Sequence, residues 1–172
     1  MTKREVMIRI ETVRQELADS LFEDQNAADE PMEDEWDDGQ EFEPAEMLME
    51  GRLITGSDRV ELVYSESELT GMEGSVTTVG FFRNDPTLVS MMRTGMVRTA
   101  LVFEPNKRHI CLYNTPFSEF EICVHTLHVD NRLLRDGVLY LDYLIEVHGA
   151  RAEHCKMTLT LAPSANEDTL FS

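Results

Sequence analysis

The stretch Arg108-His109-Ile110-Cys111-Leu112-Tyr113-Asn114-Thr115-Pro116-Phe117-Ser118-Glu119-Phe120-Glu121-Ile122-Cys123-Val124-His125 holds two alternating segments around a turn. Ile110 and Leu112 alternate with His109, Cys111 and Tyr113, while Phe120, Ile122 and Val124 alternate with Glu121, Cys123 and His125. A two-residue period is that of a β-strand with one buried face. If both apolar sets line one core, cross-strand partner numbers sum to an even value and the loop holds an odd number of residues. Pro116-Phe117-Ser118 fits as that loop, with Pro at the first type I position. Ser118 then occupies a left-handed position where Gly is usual, so local strain is predicted. This register sets His109 opposite His125, Cys111 opposite Cys123 and Tyr113 opposite Glu121 on the second face.

The same punctuation extends outward from Leu48 to Leu161. Val6, Ile8 and Ile10 alternate with polar neighbours and predict a first strand from roughly Glu5 to Thr12. Met47 to Thr55 and Arg59 to Ser65 form a hairpin about Gly56-Ser57-Asp58. Further turns are predicted at Asn84-Asp85-Pro86, Thr94-Gly95, Pro105-Asn106-Lys107, Asp136-Gly137 and His148-Gly149, the last joining Val138 to Val147 with Lys156 to Leu161. Reversals about ten residues apart indicate a meander, not strands alternating with helices. The chain therefore reads as all-β, a single closed antiparallel up-and-down β-barrel of about eight or more strands spanning 1–172. Val13, Leu17 and Leu21, with Ala18 beside them, predict a short N-terminal helix over one barrel end. The segment 162–172 is expected to be a loose tail. Phe81 or Phe82, Phe103, Leu112, Phe120 and Tyr143 are expected to point inward, and such an interior is either filled or holds one small molecule.

The net charge of −18 is concentrated in one region. Between Glu16 and Glu50 there are fifteen acidic residues and no Lys or Arg, which leaves eighteen acids against fifteen bases elsewhere. Segment 16–46 is accordingly expected to be an acidic insertion, largely loop or disordered, outside the barrel. Trp36 and Phe42, set among acids, would serve as apolar anchors for a basic protein partner. Nucleic-acid binding is disfavoured because phosphate contacts need clustered Lys and Arg. Lys3, Arg4, Glu5 and Arg9 fall where a signal peptide would be apolar, and no apolar run approaches the roughly 18 residues of a spanning helix. The expectation is a cytoplasmic protein without a membrane partner. Cys111, Cys123 and Cys155 are odd in number and lack a Cys-x-x-Cys pair, so they are expected to be reduced thiols.

Candidate chemistry is sparse. No nucleophile elbow, phosphate-cradling loop, His-Glu-x-x-His helix or calcium loop occurs, and neither a cofactor nor an enzymatic activity is expected. His109, Cys111, Cys123 and His125 supply the ligand inventory of a zinc site. Against this, opposed residues on a flat ribbon stand about 4.5 to 5.5 Å apart and rarely converge tetrahedrally. Half-exposed residues of an outer face are the plainer reading. Glu66, Glu68 and Glu73 could pair carboxylates for acid–base work. In a chain with 33 acids that proximity carries little weight, and a hydrolase or isomerase using Glu73 with His109 has no supporting spacing. Gly71 and Gly74 supply backbone freedom in a loop between strands.

Several motifs resemble those of the YwiB-like family: Glu68-Leu69-Thr70-Gly71-Met72-Glu73-Gly74 with Thr77-Thr78, Arg93-Thr94-Gly95, Leu101-Val102-Phe103-Glu104, Arg108 to Tyr113, Thr115-Pro116-Phe117 and Leu141-Asp142-Tyr143. The resemblance runs from about Met47 to Leu161. That family is a bacterial domain of unknown function grouped with calycin-like β-barrels, so the resemblance implies a small closed barrel related in shape to lipocalins. Ser118 departs from the family's usual Gly, and the acidic segment looks longer than the usual connection. The leading expectation is a non-enzymatic binding module for a small, partly apolar ligand. Thr70, Gly71, Met72, Glu73, Arg93, His109 and Tyr113 are its candidate contacts. The alternative is a solid barrel scaffold that binds a basic protein through the acidic insertion.

Overall fold

The computed structural model describes residues 1–16, 44–66, 74–147 and 150–163. Over these residues the chain forms a closed antiparallel barrel of ten strands. They are β1 (Thr2–Glu16), β2 (Ala45–Thr55), β3 (Arg59–Ser65), β4 (Val76–Phe82), β5 (Asp85–Thr94), β6 (Arg98–Phe103), β7 (Arg108–Asn114), β8 (Glu119–Arg132), β9 (Val138–Val147) and β10 (Ala150–Pro163). One helical turn, α1 (Leu133–Asp136), joins β8 to β9. Each strand pairs with its sequence neighbours, and β1 closes the cylinder against β10. Closure removes the free sheet edges that an open meander would expose.

Because strands alternate in direction, connections after odd-numbered strands all emerge at one end. We call it the loop end. It carries the β1–β2 connection, anchored at Glu16 and Ala45, and the connections after β3, β5, β7 and β9. Short turns and α1 occupy the opposite, turn end.

Period-two patterning sets the core. Val6, Ile8 and Ile10 of β1 face Leu62, Val79, Val89, Phe103, Val124, Leu139, Leu141 and Leu159, all buried. The Phe103 and Tyr143 rings meet edge-on with centroids 4.8 Å apart. These side chains form one buried cluster inside the barrel. Ion pairs such as Arg9–Glu46 at 2.9 Å lie on the outer surface.

The decisive hairpin differs from its predicted register. His109 pairs with Val124, Cys111 with Ile122 and Tyr113 with Phe120, so partner numbers sum to an odd value. The loop is four residues, Thr115 to Ser118. Thr115 N–H donates to Ser118 O at 2.8 Å, and Ser118 N–H donates to Thr115 Oγ1 at 3.0 Å. An even loop reverses parity. His109, Cys111 and Tyr113 consequently share the inward face with Ile122 and Val124, while Ile110 (76% exposed) and Leu112 (50%) point outward. Ser118 escapes the predicted strain, since Asn106 is the only non-glycine with positive φ among the described residues.

Smaller differences have the same origin in pairing. Between Phe81 and Phe82, Phe81 is the buried one, and Phe82 is exposed beneath the Arg59 guanidinium, 5.1 Å from its ring centroid. Instead of entering a helix, Val13 continues β1, where it pairs with Lys156; Leu17 and Leu21 lie outside the described residues. The last strand runs to Pro163, with Ala162 paired to Met7, and residues 164–172 of the expected tail lie outside the described residues. Most of the predicted acidic insertion 16–46 also lies outside the described residues, though its ends, Glu16 and Glu46, belong to β1 and β2. Among the described residues no helix is long and apolar enough to cross a membrane.

Candidate functional site

Five inward residues form one row across β3 to β7. Tyr64 pairs with Thr77, Thr77 with Arg93, Arg93 with Thr99, and Thr99 with Tyr113. Each is the second residue from the loop-end terminus of its strand. Direct cross-strand neighbours lie within side-chain reach of one another, so strand register alone places a polar row just inside the loop end.

Glu66 folds into this row from the residue after β3, its N–H donating to Ser75 O at 2.8 Å. Arg93 Nη2 lies 3.1 Å from Glu66 Oε1, with side chains 14% and 3% exposed. Arg93 Nε donates to Thr77 Oγ1 at 3.2 Å, and Thr77 Oγ1 donates to Glu66 Oε1 at 2.7 Å. The guanidinium thus satisfies a carboxylate and a hydroxyl that the barrel has removed from water. Burial, reinforced by the Glu66 charge, pushes the Tyr64 phenol well above its ordinary range. Tyr64 remains a neutral hydroxyl at physiological pH.

Beside this network lie two buried hydroxyls, Ser75 Oγ and Thr99 Oγ1, without a hydrogen-bond partner among the described residues. Thr99 is directly opposite Arg93, and Ser75 lies two residues before Thr77 on the same face. Gly95 backs Ser75 so closely that a Cβ there would come within 2.8 Å of the Ser75 Cα. The inward residues of β2 and β9 at this end are apolar: Met49, Ile145 and Val147 pack against the core, and Met47 pairs with buried Ile10. The inner face of the loop end thus has a polar row on β3 to β7 and apolar residues on β2 and β9, while β1 and β10 between them carry Thr12, Arg14 and Glu153 in the inward phase.

The candidate contacts are not all brought together. Arg93 and Tyr113 share the row, separated by Thr99. His109 lies four residues along β7 from Tyr113, about 13 Å at strand rise. There Nε2 is 3.1 Å from Glu104 Oε1 at the turn end. Hydrogen bonds from Lys107 and His109 hold the Glu104 carboxyl below its ordinary value. Thr70, Gly71, Met72 and Glu73 lie outside the described residues, as does Glu68. The partner observed for Glu66 is Arg93, not a second carboxylate.

The zinc inventory does not assemble. His109 and Cys111 face inward, while Cys123 and His125 face outward, where His125 Nδ1 is 3.6 Å from Glu146 Oε1. No group of three potential metal-binding side chains occurs among the described residues. Cys155, buried near Tyr143, has its thiol pushed up to about 11, chiefly by burial. That environment suppresses the reactive thiolate.

The sequence pattern alone did not single out Ser75 and Thr99, nor Arg93 as the partner of Glu66. A signal existed for two inward polar residues. Thr77 shares the phase of Val79 and Phe81, and Thr99 that of Leu101 and Phe103, so each is a hydroxyl at a core position.

Comparison with known proteins bears on the fold. A family model described as a domain of unknown function, DUF1934, matches residues 32–159. The crystal structure of the ywiB protein from Bacillus subtilis is similar with a TM-score of 0.62 and 17% sequence identity, the alignment covering 93% of each chain. No curated protein matches the chain.

Proposed function

The chain belongs to the DUF1934 family of unknown function, and from that premise we propose that it is a non-enzymatic binding module whose loop end takes a small, partly apolar ligand. The observation that carries this reading is the pairing of a buried polar network with unpartnered hydroxyls. Arg93, Glu66 and Thr77 are fixed in mutual contact, whereas Ser75 Oγ and Thr99 Oγ1 are buried with no partner among the described residues. A buried hydroxyl left unpaired costs roughly 1 to 3 kcal/mol, a cost that a polar ligand group removes. Met47, Met49, Ile145 and Val147 supply an apolar surface at the same end for the rest of the molecule. Tyr113 stands at the rim of this site, and the remaining candidates Thr70 to Glu73 lie outside the described residues. His109 belongs to the turn end and takes no part.

Native mass spectrometry of protein purified gently from its own cells tests the reading. A retained small molecule that is lost from the Thr99→Val variant supports it; bare protein from several independent preparations rejects it.

A second reading draws on the charge distribution. Twelve acids and no base lie between residues 17 and 43, which suits docking of a basic protein surface with the barrel as scaffold. Exposed charges act over about 8 Å at physiological ionic strength, so such docking is salt-sensitive. Removal of residues 23–43 should abolish a salt-sensitive partner and leave the melting temperature nearly unchanged.

A further inference from the structure

We propose that the polar side of the loop end selects an uncharged, hydroxyl- or amide-bearing head group and discriminates against both carboxylates and amines. This inference rests on the binding reading above and names its ligand class. Its basis is charge balance. Arg93 and Glu66 neutralise one another at 3.1 Å, and the remaining inward groups of the row, Tyr64, Thr77, Thr99 and Tyr113, carry no formal charge. An incoming carboxylate would place a second anion beside Glu66, and an ammonium would face Arg93. Within this row either ion would lose its hydration without gaining an unspent counter-charge.

Hydroxyls and amides meet no such penalty. Ser75 Oγ and Thr99 Oγ1 each offer one donor and two acceptor sites, and both are buried without partners among the described residues. They flank Arg93, Thr99 directly opposite it on β6 and Ser75 at the residue before β4, two residues from Arg93's partner Thr77. A head group that both donates and accepts satisfies them together.

The test uses the full-length protein and three ligands with a common apolar chain: octanol, octanoate and octylammonium, titrated at neutral pH by calorimetry. Octanol is expected to bind at least about tenfold more tightly than either ion. Equal or tighter binding of octanoate or octylammonium overturns the head-group inference while the binding reading stands; failure of all three overturns both. Glu66→Gln leaves Arg93 uncompensated and should shift preference toward octanoate, and an unshifted preference contradicts the charge-balance argument. Ser75→Ala and Thr99→Val cover the case in which Glu66→Gln fails to fold. They should weaken octanol binding while melting temperature holds or rises, and unchanged affinity in both contradicts the role given to these hydroxyls.

Discussion

Arg93 and Glu66, 27 residues apart in sequence, meet inside the barrel at 3.1 Å with both side chains largely withdrawn from solvent. The pair joins β5 to the residue that leaves β3, and Thr77 on the strand between them bonds to both. It therefore ties three strands at the loop end.

Breaking this pair from one side should be costly. Arg93→Ala leaves a buried carboxylate uncompensated and is expected to destabilise the fold by about 3 to 5 kcal/mol. Replacing both residues with apolar ones of similar volume, as in Arg93→Met with Glu66→Leu, should recover most of that loss. Urea denaturation of the single and double variants checks it; a double variant as unstable as the sum of its singles would contradict the account.

The hairpin register makes a separate prediction. Ile110 points outward and is 76% exposed, whereas Ile122 is buried. Ile110→Thr should change stability by no more than about 0.5 kcal/mol, while Ile122→Ala should cost about 2 to 5 kcal/mol. Equal losses would indicate the even-sum register that places both residues in the core.

Backbone proximity gives a third test. Gly51 lies against Ile8 Cδ1, and a Cβ there would also come within 2.7 Å of the Val63 carbonyl oxygen. Gly95 combines a φ of +139 with the Ser75 backbone behind it. Alanine at either position should lower the melting temperature clearly, Gly95→Ala through strain as well as contact. Thermal melts read this directly, and an unchanged midpoint for both variants would refute the packing described.

Alkaline conditions should weaken the fold. Burial raises Cys155 from 9.0 to about 11 and pushes Tyr64 and Tyr143 higher still. The folded state holds these protons more tightly than the unfolded state. Stability is therefore retained below about pH 9 and declines as pH rises toward about 11. The same burial predicts that Cys155 resists alkylation in the native state while the half-buried Cys123 reacts first. Mass-spectrometric mapping after brief iodoacetamide treatment reports the order.

The limits of the sequence reading are physical. Strand positions were legible because alternation and turn residues agree along most of the chain, and β3 and β9 begin and end where the pattern places them. Strand β7 was ambiguous because both its faces carry residues fit for a core. Ile110 and Leu112 are the more hydrophobic set, yet Cys111 buries well as a small apolar group. Loop parity decides between the faces, and Thr115, whose hydroxyl closes the turn, carries no composition signal separating three loop residues from four. Arg93 was visible through a motif, but its pairing with Glu66 depends on register across three strands. Local spacing does not encode it.

The central claim is that ligand meets the inner face of the loop end, and the ten methionines of the chain are suited to test it. Met47 and Met49 line the apolar side of that end, whereas Met92, 49% exposed, lies on the outer surface. Methyl NMR of methionine-labelled protein titrated with a small-molecule extract of its own cells should shift the Met47 and Met49 signals and leave Met92 in place. Shifts confined to Met92, or no shift at any methionine, would contradict the account.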